Sequence, residues 1–382
     1  MSRAIACGGS CAIGALPIIE PMTETTAGVD AARAGLHYAN HRDPGIRREG
    51  PRRAFRYRRP TGRLVRDAAT LTRIQRLAIP PAWTDVWICA DPSGHLQAVG
   101  RDARGRLQYR YHPAFRSRRD ARKFDRLIRF GERLPRIRRQ VARDLRAPGL
   151  PREKVLAAMV RLLELTRMRV GNDEYARLNR SFGLSTLRNR HAEVRGARVR
   201  FRFRGKSGRT QEVRVVDRRL AAVIRRTQDL PGQHLFEYAE DDGPVERIDS
   251  DAVNAYLREA ADDPSVSAKD FRTWAGTVLA FRALEAAGEP GDAAEARQNV
   301  VEAVDAAAAV LGNTRAVARA SYIHPAVVEA YGKPANRGRG RGRGRGAEPA
   351  PRPALPADAA APPTVAEERR VLAILRSRRG RG

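Results

Sequence analysis

The sequence predicts an α+β fold in which a small β-rich N-terminal domain precedes a mainly helical domain that carries a β-hairpin. Short apolar segments separated by turn formers fill residues 63–112, which is typical of strands. Apolar residues then recur at three- and four-residue steps over 124–141 and 155–165, which indicates amphipathic helices. With 382 residues, 42% of them hydrophobic, the chain is long enough for two domains with a sizeable core.

The N-terminal part divides into two predicted segments. Residues 1–34 are expected to be a flexible leader, since glycines and Pro17 interrupt the apolar core that a signal peptide needs. Residues 35–125 are expected to form the β-rich domain, with strands at 83–89 and 95–99 between clusters of Pro, Asp, Ser and Gly. The three cysteines lack the spacing of a zinc site or a disulfide framework. No apolar run reaches the roughly 18 residues of a membrane span.

Charge is the strongest signal in the composition. The chain has 73 Lys+Arg against 43 Asp+Glu, a net charge of +30, and this surplus favours a polyanionic partner such as nucleic acid. Residues 101–146 carry 17 cations and 5 acids, and 126–149 are expected to be a basic helical linker. Tyr109 and Tyr111 stand two apart near Arg106, and aromatics among cations suit nucleic-acid contacts. The alternative for this region is a solvated charged face.

Residues 150–332 are expected to form the helical domain. Its first apolar stripe ends at Gly171. Beyond it, two alternating runs at 198–204 and 212–216 flank a Gly-Lys-Ser-Gly turn, so the sequence predicts a β-hairpin with Lys206 at its tip. Ala- and Val-rich segments then return to helical spacing.

The C-terminal residues 333–382 have a different composition. They repeat Arg-Gly five times over 337–346, and their Pro/Ala stretch offers little apolar surface to bury, so a disordered tail is predicted. With 13 cations and 4 acids, this tail suits a salt-sensitive nucleic-acid tether, and the alternative is a passive solubilising tail.

The lysine of the hairpin turn is a rare residue type in this chain, which has only five lysines. Gly205-Lys206-Ser207 differs from a phosphate-binding P-loop, because Arg200 stands where that motif needs its first glycine and the turn joins two strands. A nucleoside triphosphatase is therefore excluded. Burial can lower the pKa of a lysine, but not of an arginine, enough to donate a proton near neutral pH. The alternative is an ordinary exposed turn lysine.

Three further segments complete a chemically coherent set. Arg169 follows the first helical stripe, Arg272 lies in a Lys-Asp-Phe-Arg segment, and Tyr322 follows a short helical stretch. Two guanidinium groups, a lysine and a tyrosine suit metal-free phosphoryl transfer to a phenol. Taken alone, each has a structural alternative: Arg169 as a helix cap, Arg272 as an ion-pair partner of Asp270 or of a neighbouring helix, and Tyr322 as a core or surface tyrosine.

The motifs RVGNDEY, FRGKSG, KDFRTWAGT, LGNT and SYIHP, in this order, resemble type IB DNA topoisomerases of the bacterial, poxvirus-like kind. The resemblance extends over roughly residues 35–331. It implies that the two domains form a C-shaped clamp that closes around duplex DNA. The first domain would bind DNA and the domain at 150–332 would be catalytic.

The resemblance also implies roles for individual residues. Tyr322 would be the nucleophile, Arg169 and Arg272 would clamp the transition state, and Lys206 would be the general acid. Asn313 stands where viral members have a histidine that hydrogen-bonds a non-bridging phosphate oxygen. An amide can donate there but carries no positive charge.

The resemblance likewise implies a set of DNA-contacting residues. Lys269 corresponds to the auxiliary lysine of the family's active-site segment, while Tyr109, Tyr111 and Tyr175 align with aromatics that contact DNA. Arg106 is included among the DNA-binding residues because it lies beside the first two tyrosines. His324, two residues after the nucleophile, is expected to be structural and not to replace the missing histidine.

The implied activity is relaxation of supercoiled duplex DNA through transient cleavage of one strand and a 3′-phosphotyrosyl intermediate. No cofactor, metal or ATP would be required, and the enzyme would act as a monomer in the cytoplasm, at the nucleoid. One alternative is a tyrosine recombinase, although such enzymes usually show His-x-x-Arg where this chain has Lys269 and Arg272. The other is a nucleic-acid-binding protein without catalytic activity.

Overall fold

The computed structural model of the chain confirms the α+β class, with antiparallel sheets and a mainly helical C-terminal part. It describes residues 24–52, 54–103, 105–173, 176–177, 180–239, 243–332 and 361–379. The chain divides into two compact units, Met1–Phe124 and Asp125–Gly382. Within the described residues, no helix combines the length and the apolar character needed to cross a membrane.

The secondary-structure elements are numbered in chain order. The helices are α1 (Glu24–Arg33), α2 (Ala68–Arg76), α3 (Pro113–Asp144), α4 (Arg152–Thr166), α5 (Arg218–Gln228), α6 (Ser250–Ala261), α7 (Ala268–Ala287), α8 (Ala293–Leu311), α9 (Arg315–Ser321), α10 (Pro325–Tyr331) and α11 (Val365–Arg379). The strands are β1 (Ile46–Glu49), β2 (Arg56–Arg58), β3 (Thr84–Ile88), β4 (Leu96–Arg101), β5 (Leu107–Tyr111), β6 (Ala192–Arg195), β7 (Arg198–Arg204), β8 (Thr210–Val216), β9 (Glu237–Tyr238) and β10 (Glu246–Arg247).

The first unit is built on a five-stranded antiparallel sheet with the order β2-β1-β3-β4-β5. The strands predicted at 83–89 and 95–99 are β3 and β4, two of the three inner strands of this sheet. Alternate residues of β3 lie in two different apolar clusters: Val86 and Ile88 pack with Ile74 of α2, while Trp87 packs with Val99 of β4. Both faces of the sheet are therefore covered, and the period of two in the sequence corresponds to these two faces.

The core of the second unit is helical. The apolar stripes predicted by the three- and four-residue spacing are buried in it: Leu127, Ile128, Phe130, Leu134, Ile137 and Val141 from α3, and Val155, Leu156, Met159, Val160 and Leu163 from α4. The segment 126–149, expected to be a linker, thus contributes side chains to this core. The prediction of an amphipathic helix is confirmed, and the helix is continuous from Pro113 to Asp144.

The predicted hairpin is present in the second unit. Strands β7 and β8 pair antiparallel from Arg198 opposite Val216 to Arg204 opposite Thr210, and β6 extends them to a three-stranded sheet. A 3-10 turn at Lys206–Gly208 closes the hairpin. One face of β7 is buried through Val199, Phe201 and Phe203, so the alternation with arginine fixes the register of the hairpin.

Two expectations about the ends of the chain are wrong in part. The flexible leader was expected to reach residue 34, but α1 is a helix whose Ala31 packs on Phe115 and whose buried Asp30 pairs with Arg122. The buried face of this helix consists of alanines and one aspartate rather than a stripe of large apolar residues, so the sequence pattern did not reveal it. Within the expected tail, α11 is a helix that buries Val371 and Leu375, while the Arg-Gly repeat lies outside the described residues.

Candidate active site

Helix α7 carries Arg272 into the interior of the second unit. Asp270 caps the helix by accepting the Ser267 backbone N–H at 2.8 Å. The Arg272 side chain is buried, its Nη1 donates to the carbonyl of Arg167, and its Nη2 donates to the carbonyl of Leu311 at 2.7 Å. These two carbonyls fix the plane of the guanidinium group. The alternative of an ion pair with Asp270 is not realised, because that carboxylate pairs with Arg126.

Arg169 lies outside the helix whose end it was predicted to occupy. Helix α4 stops at Thr166 because Arg167 adopts a left-handed conformation with φ of 58°. Residues 167–172 have no regular secondary structure, and the carbonyl of Arg169 accepts the backbone N–H of Leu184 at 2.9 Å. The alternative role of Arg169 as a cap of this helix is therefore wrong. Its Nη2 instead donates to Asn313 Oδ1 at 2.9 Å.

The turn between α8 and α9 presents Asn313. Gly312 follows the helix in the left-handed region, with φ of +62°, and the backbone N–H of Asn313 then bonds the carbonyl of Ala308 at 2.9 Å. Asn313 Nδ2 is buried and has no hydrogen-bond partner within the described part of the chain. An unpaired buried donor is costly, so this amide is suited to a ligand acceptor such as a phosphate oxygen.

Tyr322 ends α9 and packs directly on α7. A Cβ at Gly276 would lie 2.5 Å from the Tyr322 carbonyl oxygen, so only glycine allows this approach. Thr277 Oγ1 accepts the backbone N–H of His324 at 3.1 Å, which holds the chain just after Tyr322. The side chain of Tyr322 is half-buried, and its ring centroid lies 5.1 Å from Cζ of Arg272.

His324 has the structural role that the sequence predicted. Its side chain is buried, and its Nδ1 accepts the backbone N–H of Ala326 at 3.0 Å, which caps α10. The imidazole therefore stabilises the helix that follows the tyrosine.

Lys206, at the hairpin tip, approaches the same cluster. The hairpin lies against the turn that presents Asn313: Gln211 Oε1 is 4.0 Å from the position that a Cβ on Gly312 would occupy. Desolvation and the positive charge of Arg169 lower the pKa of the Lys206 ammonium below its usual value, although the residue as a whole stays accessible to solvent. The charges of Tyr322, Arg272 and Lys269 act on it as well. A lysine with a lowered pKa is a better proton donor than an ordinary lysine.

The electrostatics of the cluster favour an anion. Burial and the charge of Arg169 lower the pKa of Arg272 to about 10, so this arginine is still charged at neutral pH. Burial opposes ionisation of Tyr322, but the charges of Arg272, Arg169 and Lys206 outweigh it and lower the pKa of the phenol below its usual value. The cations that contribute to both shifts are crowded around one phenol, and a bound phosphate would relieve their repulsion.

The predicted DNA-binding residues are distributed over both units. Tyr109 and Tyr111 stack in the first unit with ring centroids 6.1 Å apart, and Tyr111 stacks in turn on Phe115. Arg106 pairs with Asp102, at 2.7 Å between Nη2 and Oδ2, so part of its charge is already neutralised.

Two other predicted DNA-binding residues belong to the second unit. Lys269 is exposed in the first turn of α7 and acts electrostatically on Lys206. Tyr175 lies outside the described residues. The DNA contacts of all five residues remain predictions.

Sequence reasoning missed the residues that hold the cluster in place. Arg167 contributes its backbone carbonyl, and Thr277 contributes its hydroxyl, so neither reveals its role through its side-chain type. Gly276 did leave a signal, because a glycine inside a helical pattern indicates close approach of another backbone. Here that backbone is Tyr322.

Comparison with known proteins identifies the family. Residues 112–339 match a family model described as the catalytic core of eukaryotic DNA topoisomerase I, and residues 54–102 match the N-terminal domain of bacterial DNA topoisomerase IB. The DNA topoisomerase 1B of Acanthamoeba polyphaga mimivirus is 31% identical over 268 residues, covering 68% of this chain and 80% of the viral protein. DNA topoisomerase I of monkeypox virus and DNA topoisomerase 1B of vaccinia virus (strain Copenhagen) are each 23% identical over 205 residues, covering 53% of this chain and 62% of theirs.

The matched catalytic-core region contains every residue of the cluster around Tyr322. Both matching families are topoisomerases, which disfavours the recombinase and non-catalytic alternatives. The chain belongs to the type IB DNA topoisomerase family and is a DNA topoisomerase of type I, subtype IB.

Proposed function

We propose that this enzyme relaxes supercoiled duplex DNA by cutting one strand through a 3′-phosphotyrosyl bond to Tyr322, without ATP or a metal ion. The observation that carries the proposal is the arrangement around this phenol: Arg272 lies beside its ring, and the charges of Arg169 and Lys206 act on its hydroxyl. These are the groups that a phosphodiester undergoing displacement requires.

In the proposed first step, Tyr322 releases its phenol proton to water, and the phenolate Oη attacks the scissile phosphorus and displaces the 5′ oxygen of the next nucleotide. The lowered pKa of Tyr322 makes its phenolate more accessible near neutral pH than that of an ordinary tyrosine. The new P–O bond to tyrosine forms as the bond to the 5′ oxygen breaks. The number of phosphoester bonds is unchanged.

Negative charge that develops on the non-bridging oxygens would be stabilised by three side chains. Arg272 uses both terminal nitrogens on backbone carbonyls, but its buried Nε has no hydrogen-bond partner within the described residues and can donate. Asn313 Nδ2 likewise has no partner within the described residues and can donate, while Arg169 Nη2 donates to the oxygen of the same amide and fixes its orientation. Donors fixed before the substrate arrives need no reorganisation during the reaction.

Lys206 would protonate the departing 5′ oxygen and so release a 5′ hydroxyl. The intact partner strand permits the free end to rotate, and the 5′ hydroxyl then attacks the phosphotyrosine to reseal the strand. Because the phosphotyrosyl bond conserves the energy of the broken linkage, the cycle needs no nucleotide hydrolysis.

The proposal also includes the setting of the reaction. We include action as a monomer, as the resemblance to type IB topoisomerases implies. The net charge of +30 supports duplex DNA as the partner and a cytoplasmic, nucleoid-associated location. We assign DNA binding to the β-rich domain and catalysis to the helical domain.

Relaxation of a supercoiled plasmid tests the proposed activity. We expect complete relaxation by the full-length chain in EDTA without added nucleotide, because none of the proposed steps uses a metal ion or a nucleotide. A strict requirement for magnesium or ATP would contradict the proposed mechanism. A chain with Tyr322→Phe is the negative control in the same buffer.

Replacement of Lys206 tests the general acid. We expect Lys206→Ala to slow single-turnover cleavage by about two to four orders of magnitude, because the 5′ oxygen then leaves without a proton. Lys206→Arg keeps the positive charge but has too high a pKa to donate at neutral pH, so it should also be slow. Non-covalent DNA affinity should change little in either variant.

A substrate with sulfur in place of the scissile 5′ bridging oxygen completes this test, because a thiolate leaves without protonation. Both Lys206 variants should recover much of their cleavage rate on it. If neither recovers, Lys206 is a phosphate contact rather than an acid.

A further inference from the structure

We propose that Glu368, on the C-terminal helix α11, is a positioning residue that orients Arg272 for catalysis. This inference rests on the catalytic role of Arg272 in the proposed function. The region matched to the topoisomerase catalytic core ends at residue 339, so α11 lies beyond it. Its contacts nevertheless lead directly to the segment that carries Arg272.

The first connection runs through Trp274. The Glu368 carboxylate is buried and accepts from Trp274 Nε1 at 3.0 Å. The same carboxylate pairs in bidentate fashion with Arg138 of α3, at 2.7 and 2.8 Å. Trp274 is two residues from Arg272 on α7, so Glu368 ties this turn of α7 to α3. A buried carboxylate with three charge-assisted or aromatic N–H donors holds its partners in narrow geometry.

The second connection runs through Arg167. The carbonyl of Arg167 accepts from Arg272 Nη1, and Arg167 Nη2 donates to the carbonyl of Ala361 at 3.2 Å. Arg282 Nη1 lies 3.4 Å from the same carbonyl. Residue 361 precedes α11, so the segment before the helix holds the residue whose backbone fixes the Arg272 guanidinium.

Charge explains why this support is needed. Burial and the positive charge of Arg282 lower the pKa of Arg167, so the two guanidinium groups repel each other. Glu367 pairs with Arg282 at 2.7 and 2.9 Å, and these contacts bring the pKa of Glu367 down to about 2. Glu367 and Glu368 of α11 thus pair with two half-buried arginines, Arg282 and Arg138 respectively. If α11 were displaced, the repulsion between Arg167 and Arg282 would no longer be balanced by these acids, and it would shift the backbone of Arg167.

Glu368→Gln in the full-length chain tests the proposal, with Glu132→Gln as the matched control. Glu132 undergoes the same chemical change and also pairs with α11, through Arg376, but that pair is exposed. Arg138 keeps Glu164 as a partner at 2.6 Å in the Glu368 variant, which favours folding. We expect single-turnover cleavage to slow about 10- to 100-fold in Glu368→Gln, as for a small misplacement of a catalytic group, and less than about twofold in Glu132→Gln.

A methylphosphonate at the scissile position separates positioning from folding. It has a methyl group in place of one charged non-bridging oxygen, so Arg272 stabilises less negative charge in the transition state. We expect the slowing by Glu368→Gln to shrink to less than about threefold on this substrate. A misfolded fraction would instead slow both substrates equally, and that result would overturn the proposal.

Equal rates for the two variants on ordinary DNA would also overturn it. Arg272→Ala in the same assay distinguishes the two levels of inference. If that variant cleaves normally, the proposed catalytic role of Arg272 fails, and the role of Glu368 fails with it. If Arg272→Ala is slow but Glu368→Gln is not, only the role of Glu368 fails.

Discussion

Tyr322→Phe should abolish both plasmid relaxation and the covalent protein–DNA adduct. The change removes only the phenol oxygen, which is the proposed nucleophile, so single-turnover cleavage should fall by at least about four orders of magnitude. The ring packs beside Arg272, and the backbone contact with Gly276 does not involve the hydroxyl; the change removes only the hydrogen bond between that hydroxyl and the Arg272 side chain. The variant should therefore fold and retain DNA on a filter like the unmodified chain.

Tyr331→Phe is the matched control for this substitution. Tyr331 lies nine residues after Tyr322 and is also half-buried, but its hydroxyl accepts from Asn299 Nδ2 at 2.7 Å. Its loss should leave cleavage within about twofold of the unmodified rate, because only one hydrogen bond is lost. Residual relaxation by Tyr322→Phe would identify a different nucleophile and contradict the account.

Arg272→Ala should have the second-largest effect. Loss of a preorganised arginine that stabilises a phosphoryl transition state costs about three to five orders of magnitude in other phosphoryl-transfer enzymes. The burial of Arg272 makes it a poor contributor to initial DNA binding, so affinity should change far less than the cleavage rate. Single-turnover cleavage and filter binding on the same duplex measure the two quantities.

Arg272→Lys controls for charge in this experiment. A lysine keeps the positive charge but cannot reproduce the fork that bonds the carbonyls of Arg167 and Leu311. We expect a rate between those of the unmodified chain and Arg272→Ala, with thermal unfolding followed to confirm that both variants fold. Cleavage by Arg272→Ala within about tenfold of the unmodified rate would exclude Arg272 from the chemistry.

Much of the fold could be predicted because local patterns correspond to buried faces. The Arg/Phe alternation of β7 placed Lys206 at a hairpin tip, and the structure has it in the turn between two paired strands. The spacing of apolar residues in α3 likewise identified the side chains that are now in the core. In both cases a period in the sequence is enough to define a face.

The elements that could not be predicted are stabilised by contacts distant in sequence. Helix α11 buries only two apolar residues fully, and its ion pair with Arg138 joins positions 230 residues apart. Composition does not show such a contact, so it predicted a disordered tail. Helix α1 depends in the same way on Arg122. The end of α4 was placed too late because Arg167 adopts a left-handed conformation without being a glycine.

The candidate site was predictable in membership but not in arrangement. Motif order identified Arg169, Lys206, Arg272, Asn313 and Tyr322 as a set. It did not indicate that Asn313 would accept from Arg169 and keep its amide nitrogen free, since that depends on the turn at Gly312. Nor did it indicate that backbone carbonyls would orient Arg272.

The most direct test of the central claim is to trap the covalent intermediate and locate it. A duplex that loses the 5′ fragment after cleavage would accumulate the adduct, and peptide mass spectrometry of the digested protein would identify the modified residue. We predict a single nucleotide-linked tyrosine, Tyr322, joined to a 3′ phosphate, and no modification of nearby Tyr331. An adduct on any other residue, or a 5′-phosphate linkage, would contradict the account.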